Sequence, residues 1–244
     1  MFADAELVVV DKPTGIPSVP ARTPLDPPAV AERLMGEFGP LEATHRLDRD
    51  TSGLLVLART RAARAALGRA FEQGEVRKRY LAVVVGRPPE GQGELHLPLA
   101  ADPDRAPRQR VDLVLGKRAA TRWRLLAEAS DQSDATSLLA VEPLTGRSHQ
   151  IRVHLAWLGC PIVGDRLYGA SGGTNAGVPA EPPLALHAAG LELPHPSTGK
   201  RLVFAAPPPP APPWDRFPAA LTTASAARPS GSPSARSGRT APDR

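Results

Sequence analysis

The stretch THRLDRDTSGLLVLART, residues 44–60, restricts the fold more than any other part of the chain. Leu54, Leu55, Val56 and Leu57 follow one another without a polar alternate, so a strand made from them has no face to offer to water. It must be covered on both sides, which calls for a sheet inside a layered domain. Immediately before it, two aspartates, two arginines and a histidine crowd into six residues, ending in Thr51-Ser52-Gly53. A solvated charge run rarely stops so abruptly at a buried strand. The charges therefore belong to a loop at the mouth of something packed.

The rest of the chain has the same texture as far as Ala206. Residues 6–10, 54–58, 80–85, 93–97, 121–127, 137–141, 186–193 and 202–205 read as strands. Residues 29–38, 61–73 and 149–158 read as helices, the last opened by the cap-like Thr145-Gly146-Arg147-Ser148. Strands outnumber crossover helices, which predicts an α+β domain with a mixed, largely antiparallel sheet. After Ala206 comes PPPPAPP and then a Ser/Ala/Pro/Arg mixture, predicting a disordered tail over 207–244.

Charge is a weak guide here. The formal charge is +5, but five arginines against two aspartates place +3 of it in the tail, leaving +2 for residues 1–206. Only local clusters can therefore argue for an anionic partner. Cys160 is the single cysteine, so no intrachain disulfide forms and a reducing, cytoplasmic setting is expected. The apolar run at the amino terminus is too short for a signal segment or a membrane span.

Three clusters carry possible chemistry. His45, Asp48 and Asp50 could ligate a metal, but they lie within six residues and Arg46 and Arg49 would repel a cation, so no metal is assigned. GRSHQIRVH, residues 146–154, lacks the second glycine of a serine-hydrolase elbow, and its histidines do not share a helical face as a zinc pair would. His149 and Arg152, three apart, do share one. A helix with an apolar core side and solvated polar residues is the competing reading. In RKRYLAVVVG, Tyr80 leads a buried strand, a place where a tyrosine with a wet hydroxyl is common. Beyond these three, a further stretch over residues 105–118 holds Arg105, Arg108, Arg110, Lys117 and Arg118 against Asp112 alone, suiting either a phosphate backbone or plain solvent.

In order and spacing, HRLDRDTSGLLVLA, KRYLAVVVG, GKRAATRW, EPLTGRSHQIRVHLAWLGCPIVGDRLYG and LHAAGLELPHPSTGK resemble the successive motifs of the RluA-type RNA pseudouridine synthases. The resemblance covers about residues 7–206. It implies a pseudouridine synthase fold: a mixed, mainly antiparallel sheet in two lobes, flanking helices, a central cleft, and a catalytic domain over residues 1–206. It implies an enzyme that isomerises uridines in ribosomal RNA and/or tRNA stem-loops without cofactor or metal. Nothing in the chain resembles a dimerisation seam, so a monomer is expected.

By the same resemblance Asp48 is the catalytic carboxylate and Arg152 its paired cation. Tyr80 lies against the uracil as a candidate proton acceptor, and Leu186 walls the base. Arg46 fills the space that the everted base leaves, and Arg105, Arg108, Arg110 and Lys117 clamp the RNA backbone. A carboxylate suits a sugar carbon gaining oxocarbenium character. Burial alone would neutralise it, and a permanently charged guanidinium counters that. Many relatives carry an added S4-type RNA-binding domain. This chain begins almost at once with the first catalytic strand, so affinity is expected to come from the catalytic domain.

Overall fold

The computed structural model describes residues 1–20, 27–130, 135–169 and 182–226. In chain order the elements are β1 (Phe2–Ala3), β2 (Leu7–Lys12), α1 (Val30–Phe38), β3 (Glu42–Ala43), β4 (Ser52–Ala58), α2 (Arg61–Glu72), β5 (Arg77–Val85) and β6 (Gln92–Leu95). There follow β7 (Leu99–Ala101), β8 (Gln109–Val111), β9 (Thr121–Ser130), β10 (Ala135–Pro143), α3 (Gln150–Trp157), β11 (Leu186–Pro194), β12 (Arg201–Ala205) and α4 (Pro218–Ala226).

One sheet runs β1-β2-β4-β11-β5-β10-β9-β6, with β12 on β11 and β3 on β4. All its pairings are antiparallel except β4 with β11. That parallel contact is two residues long, His187 opposite Ser52 and Ala188 opposite Gly53. Gly53 sits at φ +108°, and a Cβ there would lie 2.5 Å from the Ala188 backbone, so only glycine lets the strands meet. On one side of this seam lie β1, β2 and β4; on the other, β11, β5, β10, β9 and β6.

The unbroken apolar run has the predicted cause. Leu55 and Leu57 face the main core with Val8 and Val10, while Leu54, Val56 and Ala58 face a second cluster with Leu7, Val9 and α2. In α2, Ala63, Leu67 and Ala70 recur at helical spacing and are buried on that cluster. Thr60 caps the helix by accepting the Ala63 N–H at 3.1 Å.

One expectation is corrected. Residues 207–226 are packed rather than a disordered tail. Trp214, Phe217 and Ala224 are buried in the main core, and the Trp214 ring meets His187 edge-on with centroids 6.3 Å apart. Trp214, Phe217, Leu221 and Ala224 recur three, four and three residues apart, a stripe that the Pro/Ala-rich composition hid. Burying two large aromatic rings outweighs the cost of ordering the segment. Residues 227–244 lie outside the described residues.

Candidate active site

The cleft opens along the seam between the two halves of the sheet. It has a volume of about 1110 Å³ and is lined by Arg46, Asp48, Tyr80, Arg152 and Leu186, among others. The loop before β4, the start of β5, the start of β11 and the first turn of α3 thus converge, although they are far apart in sequence.

Asp48 stands on a loop held from beneath. Lys12, fully buried, directs Nζ at the carbonyls of Pro13, Ile16 and Arg49 at 3.0, 2.9 and 2.9 Å. Ser18 Oγ donates to the Leu47 carbonyl at 2.8 Å and accepts the Leu47 N–H at 3.0 Å. Residues 47 and 49 are therefore pinned on either side of Asp48. Burial pushes the Lys12 ammonium down to about 8 despite the opposing charges of Asp50 and Asp48. Sequence reasoning missed this lysine. The signal was there, a cation closing the apolar run of LVVVDKPTG.

Arg152 Nη1 donates to Asp48 Oδ2 at 3.2 Å. The two-pronged grip, however, goes to another residue. Arg152 Nε reaches Asp165 Oδ2 and Nη2 reaches Asp165 Oδ1, both at 2.8 Å. Asp165 Oδ1 also accepts the N–H groups of Leu167 and Tyr168 at 2.9 and 3.1 Å. The division follows burial. The Asp165 side chain is 0% exposed and needs full compensation, while that of Asp48 is 27% exposed and shares its charge with water. Burial opposes the charge on Arg152, but the two carboxylates outweigh it and hold the guanidinium more firmly protonated than usual.

Helix α3 starts one residue later than expected. His149 lies outside it as the N-cap residue, in the left-handed region at φ 53° and with no side-chain cap, and the loop entering the helix is tied down by the side chain of Gln150. Its Oε1 accepts from Thr145 Oγ1 at 2.6 Å and from the Arg147 N–H at 3.0 Å, while Nε2 donates to the Ala120 carbonyl and Thr121 Oγ1, each at 2.9 Å. His149 and Arg152 consequently do not share a helical face. They meet instead through Tyr168. Its hydroxyl lies 2.8 Å from His149 Nδ1, and its ring centroid lies 5.2 Å from the Arg152 guanidinium carbon.

Tyr80 and Leu186, 8% and 3% exposed, form apolar wall. Burial, and secondarily the Asp48 charge, push the Tyr80 hydroxyl well above its ordinary range, so it is a neutral phenol near pH 7. His45, weighed above as a metal ligand, is neutral through burial and the nearby Lys78, pushed down to about 3. It accepts the Val56 N–H at 3.1 Å on Nε2 and stacks on Phe71. Among the described residues, no group of three or more His, Cys, Asp or Glu is placed to hold a metal ion.

Arg46 is exposed at the rim, and Arg77, Lys78, Arg122 and Arg147 line the same cleft. An anionic floor thus lies under a mainly cationic mouth. Arg105, Arg108, Arg110 and Lys117 do not line it. They belong to the β7–β8 hairpin and the turn after it, which adjoin the cleft through Tyr168. That ring has the Arg108 guanidinium carbon 5.4 Å from its centroid, and its hydroxyl accepts the Gln109 N–H at 2.7 Å.

Comparison with known proteins places this arrangement. A family described as RNA pseudouridylate synthase matches residues 6–157. The dual-specificity RNA pseudouridine synthase RluA of Haemophilus influenzae is 42% identical over 204 residues, 84% of this chain and 90% of that protein. Its namesake in Escherichia coli strain K12 is 40% identical over 207 residues, 85% and 91% of the two chains. Among solved structures, human RNA pseudouridylate synthase domain containing 1 superposes with a TM-score of 0.70 at 29% identity, covering 86% of this chain and 82% of that one. With a family match over more than half its length, relatives at this identity and a shared fold, the chain belongs to the RNA pseudouridylate synthases.

Proposed function

We propose that the enzyme isomerises uridines in stem-loops of ribosomal RNA and/or tRNA to pseudouridine at Asp48, on an everted nucleotide and without a cofactor. The observation that carries this reading is the Asp48–Arg152 contact at 3.2 Å on the floor of a cleft that also holds Tyr80, Leu186 and Arg46. The reaction exchanges the C1′–N1 bond for a C1′–C5 bond, with C5 losing a proton and N1 gaining one. Asp48 supplies the carboxylate to the electron-poor centre, and Arg152 orients it through the Nη1 hydrogen bond.

Asp165 is a positioning residue, holding the guanidinium so that only Nη1 faces Asp48. Tyr80 and Leu186 give the pyrimidine two apolar contacts and keep water from the sugar carbon. A stacked uridine cannot reach that depth, so it must leave the helix, at a cost of a few kcal/mol. Loops open most cheaply, which favours stem-loop substrates. Arg46 at the rim occupies the vacated space, and the cationic mouth receives phosphates.

The relatives are named dual-specificity RNA pseudouridine synthases, which supports testing more than one RNA class. Stem-loops carrying tritium at uridine C5 should release it to water with the wild-type enzyme. Asp48→Ala should bind the same RNA within about threefold and release nothing, because the lost group does chemistry rather than phosphate contact. Wild-type release by Asp48→Ala would defeat the assignment.

A further inference from the structure

Directly after β8 the chain exposes three consecutive apolar side chains: Leu113 at 77%, Val114 at 88% and Leu115 at 80%. Hydrophobic residues scattered singly on a surface are ordinary, but a contiguous run held outward needs a reason. This run is held in a built turn. Asp112 Oδ1 accepts the N–H groups of Val114 and Leu115 at 3.1 and 2.9 Å, and the Gly116 N–H donates to the Asp112 carbonyl at 3.0 Å. The base of the turn is tied down by Asp112 N–H to the Pro98 carbonyl at 3.0 Å and by paired bonds between Leu99 and Lys117. A Cβ on Gly116 would lie 2.2 Å from the Asp112 carbonyl oxygen and 2.8 Å from Pro98, so the tight closure requires glycine.

The turn is also anchored to the catalytic helix. Leu99, Ala119 and Val153 of α3 form one apolar cluster, with Val111 and Tyr168 packed on it. Arg147 at the cleft mouth donates through Nε to the Arg118 carbonyl at 3.0 Å. The exposed tip thus stands on the same rigid footing as Arg152.

We infer that Leu113, Val114 and Leu115 form an apolar wedge that packs against nucleobases of the RNA stem-loop unstacked beside the everted uridine. This rests on the RNA-isomerase reading and deepens it. The choice of occupant follows from charge. Arg110, Lys117 and Arg118 flank the tip along the chain, and the one acid between them, Asp112, is spent inside the turn and on Arg110 at 3.2 Å. A second copy of the chain would bring the same excess of cations against itself, whereas RNA offers phosphates for the arginines and open base faces for the apolar tip. Base faces accept apolar side chains whatever the sequence, so the wedge contributes affinity and eversion rather than base identity.

The test uses the full chain with Leu113, Val114 and Leu115 all replaced by serine. These side chains touch solvent, so thermal stability should stay within about 2 °C of wild type. Binding of a fluorescent stem-loop is measured in the Asp48→Ala background from 50 to 300 mM salt. The serine variant should bind about 10- to 30-fold more weakly with an unchanged salt slope, since no cation has gone. Val114→Leu should retain wild-type affinity. Lys117→Ala should instead flatten the salt slope by about one.

Binding of the serine variant within threefold of wild type would overturn the wedge. So would an equal loss accompanied by a changed salt slope. If sedimentation or vesicle binding shows that the tip serves self-association or an anionic membrane while RNA affinity is unchanged, the wedge is also wrong. Because these arms read binding, they remain decisive even if the wild-type enzyme formed no pseudouridine.

Discussion

Asp165→Asn is the sharpest probe of the site, because it removes a charge while keeping the shape. Asn can keep Oδ1 and its three hydrogen bonds, from Arg152 Nη2 and the Leu167 and Tyr168 N–H groups. What becomes an amide is Oδ2, which accepts Arg152 Nε at 2.8 Å, so a donor then faces a donor. One charge-assisted bond is worth about 1.5–3 kcal/mol, and leaving a buried partner uncompensated raises the cost to about 3–5 kcal/mol of stability. The freed guanidinium has Asp48 as its remaining carboxylate and swings toward it. A displacement of about 1 Å at reacting groups costs on the order of 100-fold in rate. Single-turnover isomerisation should therefore fall about 100-fold while KM stays within about threefold, because Arg46 and the basic hairpin are untouched. Denaturant unfolding measures the stability loss in parallel. If both turnover and unfolding free energy stay near wild type, within about threefold and about 0.5 kcal/mol, Asp165 does not position Arg152.

Two further outcomes are expected. Trp214→Ala should cost about 3–5 kcal/mol, measured by denaturant unfolding, because its ring is 4% exposed within the main core; a loss below about 1 kcal/mol would mean that residues 207–226 are dispensable. Stability should also fall as pH drops below about 6.5. His154 and His187, both buried, bond to Thr121 with the Leu97 carbonyl and to Ser52 with the Ala206 carbonyl, and burial lowers the pKa of each. A lowered histidine pKa means that the unfolded chain binds more protons below its own value of about 6.5, so protonation favours unfolding there, by up to about 1.4 kcal/mol per pH unit for each ring. Unfolding at pH 7.5 and pH 5.0 reads this out, and equal stabilities would contradict it.

Much of the molecule was legible in the chain because strands and helices are specified by local apolar spacing. Leu54 to Leu57 announce burial on two faces wherever they end up. The pairing of β4 with β2 on one side and β11 on the other then distributes their side chains between two cores. Asp48, Tyr80, Arg152 and Leu186 were identified from motif order, and the fold brings all four to one cleft. The packing of residues 214–224 was not legible, because an apolar stripe in Pro- and Ala-rich sequence becomes visible only against the β11 surface, where His187 meets Trp214.

Composition and periodicity alone determined that this chain makes a covered sheet with a charged loop at its edge, since both follow from neighbours along the backbone. Tertiary structure alone decided which carboxylate takes the arginine fork. Asp165, thirteen residues beyond Arg152, takes it with both oxygens, and Asp48, 104 residues before, receives a single bond. The physical reason is solvation. How much water each carboxylate keeps is a property of everything packed around it, and that water decides how much of a guanidinium it must claim.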